Sequence, residues 1–349
     1  MKTVRVPFFI SHQGCPHTCV FCDQRIISGS SGVLPTADEI LEKIRLWQVT
    51  AVGRPLEVAF FGGSFTALSE ELQTGLLEPL QPLLRSGEVA AVRISTRPDY
   101  VEGRLIDRLA SHGVATVELG VQSLDDGVLA ASGRGHSAAE AKAAIRCVRS
   151  RGVSVGAQLM PGLPGDTPAA ALRSLEEAVA AGAEFLRLYP AVVLRGTELA
   201  RRFESGDYIP LSPEYGERLC AMLLLRAMQL DVPVIRIGLQ SDEGLNAGSV
   251  VAGCWHPSFG QLVRSRLYAD LLHKVIVDDA AVTVYCNPSR VSDVAGHNRR
   301  NLIGFAGRGV QIRVSPEPLL AAGEIVVQSG ADRAMYDILK DLNYSMYEV

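Results

Sequence analysis

Short apolar runs recur along the first two thirds of the chain, separated by stretches with helical periodicity. Seven such runs stand at 4–10, 57–61, 91–96, 115–120, 154–160, 185–189 and 232–238. They are continuously apolar rather than alternating, which is typical of strands in a sheet that is covered on both faces. We therefore interpret these runs as strands of a largely parallel sheet.

The stretches between these runs predict amphipathic helices, such as "TADEILEKIRLWQ", "SAAEAKAAIRCVRSRG" and "TPAAALRSLEEAVAAGA". Thr36 and Ser137 are expected N-caps, and Gly152 and Gly182 are expected to end their helices. A repeated βα unit places helices outside a parallel sheet. The predicted fold class is therefore α/β, a partial (β/α) barrel of about six parallel strands whose chemistry lies at the C-terminal strand ends.

The pattern changes near residue 250. A helical stretch covers 259–275, and a last helix is predicted near 332–342. Between them, short strands are predicted at 280–287, 309–314 and 324–328. We predict a partial-barrel domain over 1–245 and a small α+β C-terminal segment over 246–349, a candidate substrate-binding or lid region.

Composition and charge restrict the class of protein. The 349 residues are 47% hydrophobic and 21% charged, which is globular composition with ample length for a large core. A formal net charge of -4 excludes a global basic field. We find no apolar run of the roughly 18 residues that a membrane span needs, and no signal-peptide cleavage site. A cytoplasmic protein with no membrane partner is expected.

Three of the seven cysteines are crowded into "GCPHTCVFCDQ", as Cys15, Cys19 and Cys22 in a C-x3-C-x2-C array. An odd, clustered set argues against a secreted disulfide framework and favours metal ligation. Thiolates at this spacing bind zinc or an iron–sulfur cluster. His12 or His17 would complete a Cys3His zinc site, so a zinc site stays a possible interpretation. A second alternative is that the three thiols are inert and bind no metal. A four-iron cluster on three thiolates would leave one iron available to a ligand.

The array follows the first predicted strand, with Phe21 just before its last cysteine, and in this it resembles the radical S-adenosylmethionine (SAM) superfamily. The resemblance implies a [4Fe–4S] cluster on Cys15, Cys19 and Cys22, with S-adenosyl-L-methionine bound beside it and Phe21 among the cofactor contacts. "FFGGSFT" follows the second strand and resembles the glycine motif of this superfamily. That motif holds the methionine amino group, which implies cofactor contacts at Gly62, Gly63 and Ser64; alone, Gly-Gly is also typical of a tight turn.

Later motifs point to particular branches. "ELGVQSLDDGVLAASGRGH" resembles oxygen-independent coproporphyrinogen dehydrogenase and the elongator catalytic subunit, which implies cofactor contacts at Gln122 and Arg134. Arg binds a carboxylate well through two parallel N–H bonds. The alternative for Arg134 is a structural salt bridge at a helix end. Gln158 stands where many relatives have Asp or His, and can still bond a ribose hydroxyl. Ser95 replaces the Glu of the elongator pattern, so that carboxylate is missing or supplied elsewhere.

The stretch 186–214 resembles the elongator catalytic subunit most specifically, and the likeness spans roughly residues 5 to 240. The acetyltransferase domain of that subunit has no counterpart in this sequence. Acetyl-coenzyme A chemistry, and the wobble-uridine product that depends on it, are therefore not implied.

The C-terminal third has a local excess of arginine. Between 281 and 315, Asp293 stands against five arginines, namely Arg290, Arg299, Arg300, Arg308 and Arg313. Such an excess suits recognition of phosphate or carboxylate groups. The alternative is that these arginines lie on a solvated face or form ion pairs within the protein. His256, His297 and Asn298 are further candidates for a substrate pocket. Cys254 and Cys286 are candidates for a redox pair or a thiol that relays a hydrogen atom. For each of these residues, a purely structural role is the alternative. Cys147 and Cys220 are expected in the core.

The resemblance implies reductive cleavage of SAM to a 5′-deoxyadenosyl radical, which abstracts hydrogen from a substrate. An RNA nucleoside or an anionic small molecule is the expected substrate, and a flavodoxin- or ferredoxin-type protein the expected one-electron donor. Two alternatives stay open: an enzyme like coproporphyrinogen dehydrogenase, and a non-catalytic iron–sulfur scaffold.

Overall fold

A computed structural model describes residues 3–16, 19–30, 32–239, 245, 246, 248–277 and 281–344. The chain divides into two compact units. The first is Met1–Pro210 with Gln240–Gly253, and the second is Leu211–Leu239 with Cys254–Val349. The expected functional division into 1–245 and 246–349 stays a prediction.

Thirteen strands and fourteen α-helices lie in the described residues. The strands are β1 (Val4–Phe9), β2 (Leu56–Phe61), β3 (Val89–Thr96), β4 (Val114–Gln122), β5 (Ser154–Leu159), β6 (Phe185–Leu188), β7 (Val192–Leu194), β8 (Val234–Ile237), β9 (Val250–Gly253), β10 (Ala281–Cys286), β11 (Gln311–Pro316), β12 (Glu324–Ser329) and β13 (Asp332–Asp337). The helices are α1 (Gln24–Ser28), α2 (Ala37–Ala51), α3 (Glu70–Leu77), α4 (Gln81–Ser86), α5 (Gly103–Ser111), α6 (Asp126–Ala131), α7 (Ala138–Arg149), α8 (Pro168–Ala180), α9 (Glu198–Ser205), α10 (Pro213–Gln229), α11 (Phe259–Val275), α12 (Val291–Ala295), α13 (Arg300–Gly307) and α14 (Ile338–Asp341).

The main sheet of the first unit runs in the order β1–β2–β3–β4–β5–β6, and every neighbouring pair is parallel. Side chains on one face lie under the helices and are fully buried, as Phe60, Ile94, Leu119 and Leu188 show. The opposite face forms the interior of a half-barrel. The predicted partial (β/α) barrel is confirmed.

Helix capping follows the sequence signals. Thr36 and Ser137 each form a full capping box with the glutamate three residues on. This pattern satisfies two backbone N–H groups at each helix start. Gly152 and Gly182 both have positive φ, and each lies in the turn shortly after its helix ends. The expected starts and stops of these helices are therefore confirmed.

The second unit contains two long helices, α10 and α11, and a four-stranded sheet in the order β11–β10–β12–β13. The helix predicted at 259–275 is confirmed as α11. The helix predicted near 332–342 is wrong in its first half, because Asp332–Asp337 forms β13 and pairs antiparallel with β12. Gly330 has positive φ between these strands and permits the tight hairpin that turns the chain back.

Candidate active site

The loop that carries the three clustered cysteines is fastened to the end of β2. Ile10 N donates to Phe61 O at 2.8 Å, and His12 N donates to Gly62 O at 2.9 Å. Ser64 N donates back to Gln13 O at 2.8 Å. The β1 loop and the glycine motif therefore form one hydrogen-bonded unit at the C-terminal edge of the sheet.

This fastening explains the glycine motif in structural terms. A Cβ on Gly63 would lie 2.5 Å from both Ile10 O and Gln13 O, which is closer than carbon and oxygen approach in folded proteins. Gly62 has φ +85°, a conformation that residues with a Cβ rarely adopt. The two glycines are thus required for the close approach of the cysteine loop. The predicted contact of Gly62, Gly63 and Ser64 with a cofactor stays a prediction.

Each clustered thiol lies beside a different hydrogen-bonding group. Cys15 Sγ is 3.6 Å from the hydroxyl of buried Ser64. Cys22 Sγ accepts from the amide of Gln24 at 3.4 Å. Burial, reinforced by the other two thiols, raises the pKa of Cys22 to about 12.

Cys19 lies beside two guanidinium groups. Arg134 Nη1 is 3.2 Å from Cys19 Sγ, and Arg97 Nη1 is 3.9 Å from it. Arg134 Nη2 donates to Gly120 O, and Arg97 Nη2 donates to Arg134 O. Asp99 holds Arg97 through two bonds, from Nε at 3.0 Å and from Nη2 at 2.9 Å. Arg134, predicted as a cofactor contact, is thus directed at a cysteine.

Neither histidine considered for zinc is shown to complete a Cys3His site. His12 Nε2 accepts from Gln24 N at 2.9 Å, so this ring nitrogen is engaged in holding the loop. His17 lies outside the described residues. In the described part of the chain, no three His, Cys, Asp or Glu side chains are grouped as ligands of a single metal ion.

Two further predicted cofactor residues lie side by side on neighbouring strands. Gln158 Nε2 donates to Gln122 Oε1 at 3.3 Å, across β4 and β5. Gln122 has φ +68°, an uncommon conformation for a residue with a Cβ. This backbone turn lets Gln122 O accept from Met160 N at 2.8 Å. Their roles as cofactor contacts stay a prediction.

Phe21 lies in an apolar cluster rather than at an open surface. It is buried together with Cys19, Val128, Leu163 and Val193. The aromatic ring before the last cysteine therefore anchors the loop in the core, and its predicted contact with a cofactor stays a prediction.

The interior of the half-barrel is lined by partly exposed aromatic and polar side chains. The rings of Phe9 and Phe61 are 6.4 Å apart between centroids, and the Arg187 guanidinium lies 5.4 Å from the Phe61 ring. Arg187 Nη1 donates to the Tyr189 hydroxyl at 2.7 Å. Together with Gln158, these groups offer ring faces and hydrogen-bonding groups to a molecule inside the barrel.

Beside this lining, a chain of paired charges crosses the sheet and is buried except at Arg5. Glu57 accepts from Arg5 at 2.8 Å and lies 3.0 Å from Arg93. Glu118 accepts from Arg93 at 2.8 Å and from Arg187 at 2.8 Å. Glu118 is the partner of Ser95 in the β3–β4 register. Its carboxylate is tied to two arginines, so it does not stand in directly for the Glu that the elongator pattern has at position 95.

The sequence reasoning missed Arg97, Asp99 and this charge chain. A signal for the chain was present, because Glu57, Arg93, Glu118 and Arg187 interrupt otherwise apolar strands. Charged residues are rarely buried unless they are paired, so four of them in strands of one sheet indicate mutual pairing.

The C-terminal candidates lie in the second unit, where most of the named arginines are already paired. Arg300 forms two bonds with Glu217 at 3.0 and 2.6 Å, and Arg290 pairs with Asp293 at 3.1 Å. Arg308 contacts His273 at 2.6 Å. Arg299 and Arg313 are exposed.

The remaining candidates of this unit are the histidines, the two thiols and Asn298, and most of them contact neighbouring protein groups. The rings of His256 and His297 meet edge to face with centroids 5.1 Å apart. The Cys254 thiol donates to Leu211 O at 3.5 Å and to Ser212 O at 3.4 Å. Cys286 is buried in β10, and all seven cysteines are free thiols. Asn298 is exposed, with φ +51°.

Comparison with protein families identifies the chain. The family model for the radical SAM superfamily matches residues 9–178, and the model for the radical SAM C-terminal domain matches residues 183–269. The chain belongs to the radical SAM superfamily. It is therefore a radical SAM superfamily enzyme.

Several curated relatives are similar over the same region. A "tRNA uridine(34) acetyltransferase" of Methanocaldococcus jannaschii is 28% identical over 249 residues, covering 60% of this chain and 46% of that protein. Human "Elongator complex protein 3" is 27% identical over 284 residues, covering 66% of this chain and 52% of that protein. The chain thus spans about half the length of these relatives.

A solved structure shows the same fold. Methanocaldococcus infernus Elp3 with an N-terminal deletion superposes with a TM-score of 0.60 at 20% identity, covering 97% of this chain and 76% of that one. In the described part of the radical SAM chain, no helix has the length and apolar character that crossing a membrane requires.

Radical SAM enzymes use a [4Fe–4S] cluster and SAM. The residues at the β1 loop fit such a cluster by their chemistry. Cys15, Cys19 and Cys22 supply three thiols, and each iron takes its own thiolate, so the three need not converge on one point as ligands of a single ion do. The guanidinium, amide and hydroxyl neighbours of these thiols suit an anionic sulfur.

Proposed function

We propose that this radical SAM enzyme cleaves S-adenosyl-L-methionine reductively and uses the 5′-deoxyadenosyl radical to remove a hydrogen atom from a nucleoside in RNA. The observation that carries the proposal is the arrangement at the β1 loop. Three thiols of a C-x3-C-x2-C array lie at the C-terminal edge of a half-barrel, with Cys19 beside two guanidinium groups. This is the edge where parallel barrels carry their active sites.

In this proposal Cys15, Cys19 and Cys22 hold the cluster as thiolates. Cluster binding would draw the proton from Cys22, whose pKa of about 12 keeps it protonated otherwise. When bound, the cluster supplies the electron that breaks the sulfonium C–S bond, with a flavodoxin- or ferredoxin-type protein as the proposed donor.

The cofactor is proposed to lie along the strand ends of β2, β4 and β5. Gly62, Gly63 and Ser64 present backbone groups at one end, and Gln122, Gln158 and Arg134 present polar side chains at the other. Ser95 leaves the β3 position without a carboxylate, so binding of the cofactor rests on these amide and guanidinium groups.

The half-barrel lining supports a planar substrate. Phe9 and Phe61 offer ring faces, and Arg187 with Tyr189 and Gln158 offers hydrogen bonds. Aromatic faces stack on unpaired RNA bases, and polar edges pair with these side chains. The Methanocaldococcus jannaschii relative, named for its action on tRNA uridine(34), supports the same class. Their acetyl transfer is not part of the proposal, because the likeness covers only about half of each relative.

The cleavage reaction is tested on oxygen-free protein with a reconstituted cluster, SAM and a strong reductant. We expect 5′-deoxyadenosine from the wild type and none from a variant with Cys15→Ala, Cys19→Ala and Cys22→Ala. Cys147→Ala is the matched control, since it removes a partly exposed thiol of α7 outside the array. A wild type that holds about four irons and forms no product is a scaffold instead, and contradicts the proposal.

The substrate class is tested by adding transcribed tRNA or coproporphyrinogen to the same reaction. We expect tRNA to increase 5′-deoxyadenosine formation and to undergo a mass change. Stimulation by the porphyrinogen alone would assign the enzyme to the anionic small-molecule alternative.

A further inference from the structure

The three cluster thiols have unequal electrostatic surroundings. Cys15 faces a neutral hydroxyl and Cys22 a neutral amide. Cys19 faces Arg134 at 3.2 Å and Arg97 at 3.9 Å. Among the described residues, both guanidinium groups therefore lie closest to Cys19, although their charge also reaches Cys15 and Cys22.

Arg97 is held in this place by its own neighbours. Its side chain is 4% exposed, and the paired bonds to Asp99 fix the plane of the guanidinium. Paired Arg–carboxylate bonds of this kind define geometry as well as charge. With Nε and Nη2 engaged, Nη1 is left to point toward Cys19.

The surroundings of Cys19 make this charge effective. Cys19 is 6% exposed and lies among Val20, Phe21, Val128 and Leu163. Charges in such apolar surroundings interact strongly, and salt screens them little. A fixed charge a few ångströms from a bound cluster would act on the electron that the cluster accepts.

We propose that Arg97 and Asp99 set the reduction potential of the cluster from the Cys19 side. Arg97 is a positioning residue that acts through the Cys19 thiolate and stabilises the reduced, more negative cluster. Asp99 orients Arg97 and partly offsets its charge. This inference rests on the proposed function, because it requires the cluster on Cys15, Cys19 and Cys22.

The two residues give an opposed pair of predictions. Arg97→Gln removes a positive charge, so it lowers the midpoint potential. Asp99→Asn removes a negative charge with nearly no change in size, so it raises the midpoint potential. We expect each reduction equilibrium to change about tenfold, which is about 59 mV for a one-electron couple.

The experiment is a potentiometric titration of reconstituted protein without SAM or substrate, followed by electron paramagnetic resonance of the reduced cluster. Arg25→Gln is the charge-matched control, because Arg25 is exposed in α1, three residues after Cys22. We expect its potential to match the wild type. Iron content is measured for every variant.

Each outcome decides the inference. A lowered potential in Arg97→Gln together with a raised potential in Asp99→Asn supports it, and the reversed pair of shifts overturns it. Shifts in the same direction indicate altered solvent access and overturn it, as do unchanged potentials. If Arg97→Gln fails to fold or to hold iron, Arg97→Lys replaces it, since it keeps the positive charge. A wild-type potential in Arg97→Lys together with a raised potential in Asp99→Asn supports the inference. If the potential of Asp99→Asn is not raised, the inference is overturned. A wild type that assembles no four-iron cluster overturns the proposed function as well, whereas unshifted variants of a loaded protein overturn this inference alone.

Discussion

At the scale of single residues, the cysteine loop depends on glycines that leave no room for a side chain. We predict that Gly63→Ala destabilises the protein by about 1–3 kcal/mol, the usual cost of forcing an extra carbon into a filled space. The added Cβ would meet two backbone oxygens at 2.5 Å, and backbone cannot move aside as a flexible side chain does. Urea unfolding of the purified protein measures the change.

Gly75→Ala is the control for this substitution. Gly75 lies inside α3, and a Cβ there meets nothing within 4 Å. Alanine in a helix interior is more stable than glycine by about 0.5–1 kcal/mol. A stabilising Gly75→Ala beside a neutral Gly63→Ala would contradict the close approach of the cysteine loop.

His136 gives a prediction about pH. Burial, with Arg134 nearby, lowers the pKa of His136 to about 4, against 6.5 for the free side chain. Between these values the unfolded chain binds the proton and the folded chain does not, so stability is lost as pH falls. We predict that the wild type loses about 2 kcal/mol relative to His136→Gln between pH 8 and pH 5. Urea unfolding at both pH values tests this.

The comparison with His136→Gln is necessary because Asp166 titrates in the opposite sense. Burial raises the pKa of Asp166 to about 6, against 3.8 for the free side chain. The folded state therefore binds its proton first, and falling pH adds stability over much of the same range. The wild-type curve alone sums both effects, whereas the variant isolates the histidine. Parallel wild-type and variant curves would contradict a buried neutral His136.

Residue-level prediction from the sequence works where the signal is local. The cysteine array and Gly62-Gly63 lie in short motifs, and the structure brings both to one edge. Arg97 was missed because it meets Cys19 across 78 positions in the chain. No local spacing encodes such a contact.

At the scale of secondary-structure elements, the chain of paired charges joins five strands of the barrel, with only its Arg5 end exposed. We predict that Glu118→Gln destabilises the protein by about 3–5 kcal/mol, because Arg187 loses its carboxylate partner and Arg93 keeps only Glu57. Glu118 is 5% exposed and bonds both Arg93 and Arg187 at 2.8 Å. Thermal and urea unfolding measure the loss.

Glu198→Gln is the matched control on the surface. Glu198 pairs with Arg201 and Arg202 within α9, where water competes for every charge. Exposed pairs of this kind contribute little to stability, because water and salt screen them. Equal, small effects of both substitutions would show that the barrel interior is wet enough to screen its charges.

The same elements show where sequence patterns predict structure and where they do not. Capping boxes at Thr36 and Ser137 are complete within four residues, so they are readable from the sequence. The predicted helix near 332–342 is wrong in its first half, because the segment contains helix-forming residues but pairs with β12 over Asp332–Asp337. The pairing of charges inside the barrel is harder to predict from the sequence, because it depends on the register of five strands.

At the scale of the whole molecule, a net charge of -4 coexists with a segment of five arginines in the second unit. Internal pairs account for three of these arginines, with Arg300 held by Glu217, whose side chain is 6% exposed. Replacing Arg300 would leave a buried carboxylate unpaired, so a loss of RNA affinity in that variant would not report on RNA contact. Arg299 and Arg313 are the informative positions, because both are exposed.

We predict that Arg299→Gln with Arg313→Gln weakens binding of single-stranded RNA and flattens its salt dependence. Each phosphate contact contributes a slope of about 0.7 in the plot of log K against log salt, so two lost contacts reduce the slope by about 1.4. Fluorescence anisotropy over a salt series measures it. Arg45→Gln with Arg146→Gln removes the same charge from exposed positions on α2 and α7. If both double variants lower the slope equally, the effect is one of net charge, and the arginine segment has no particular role in holding RNA.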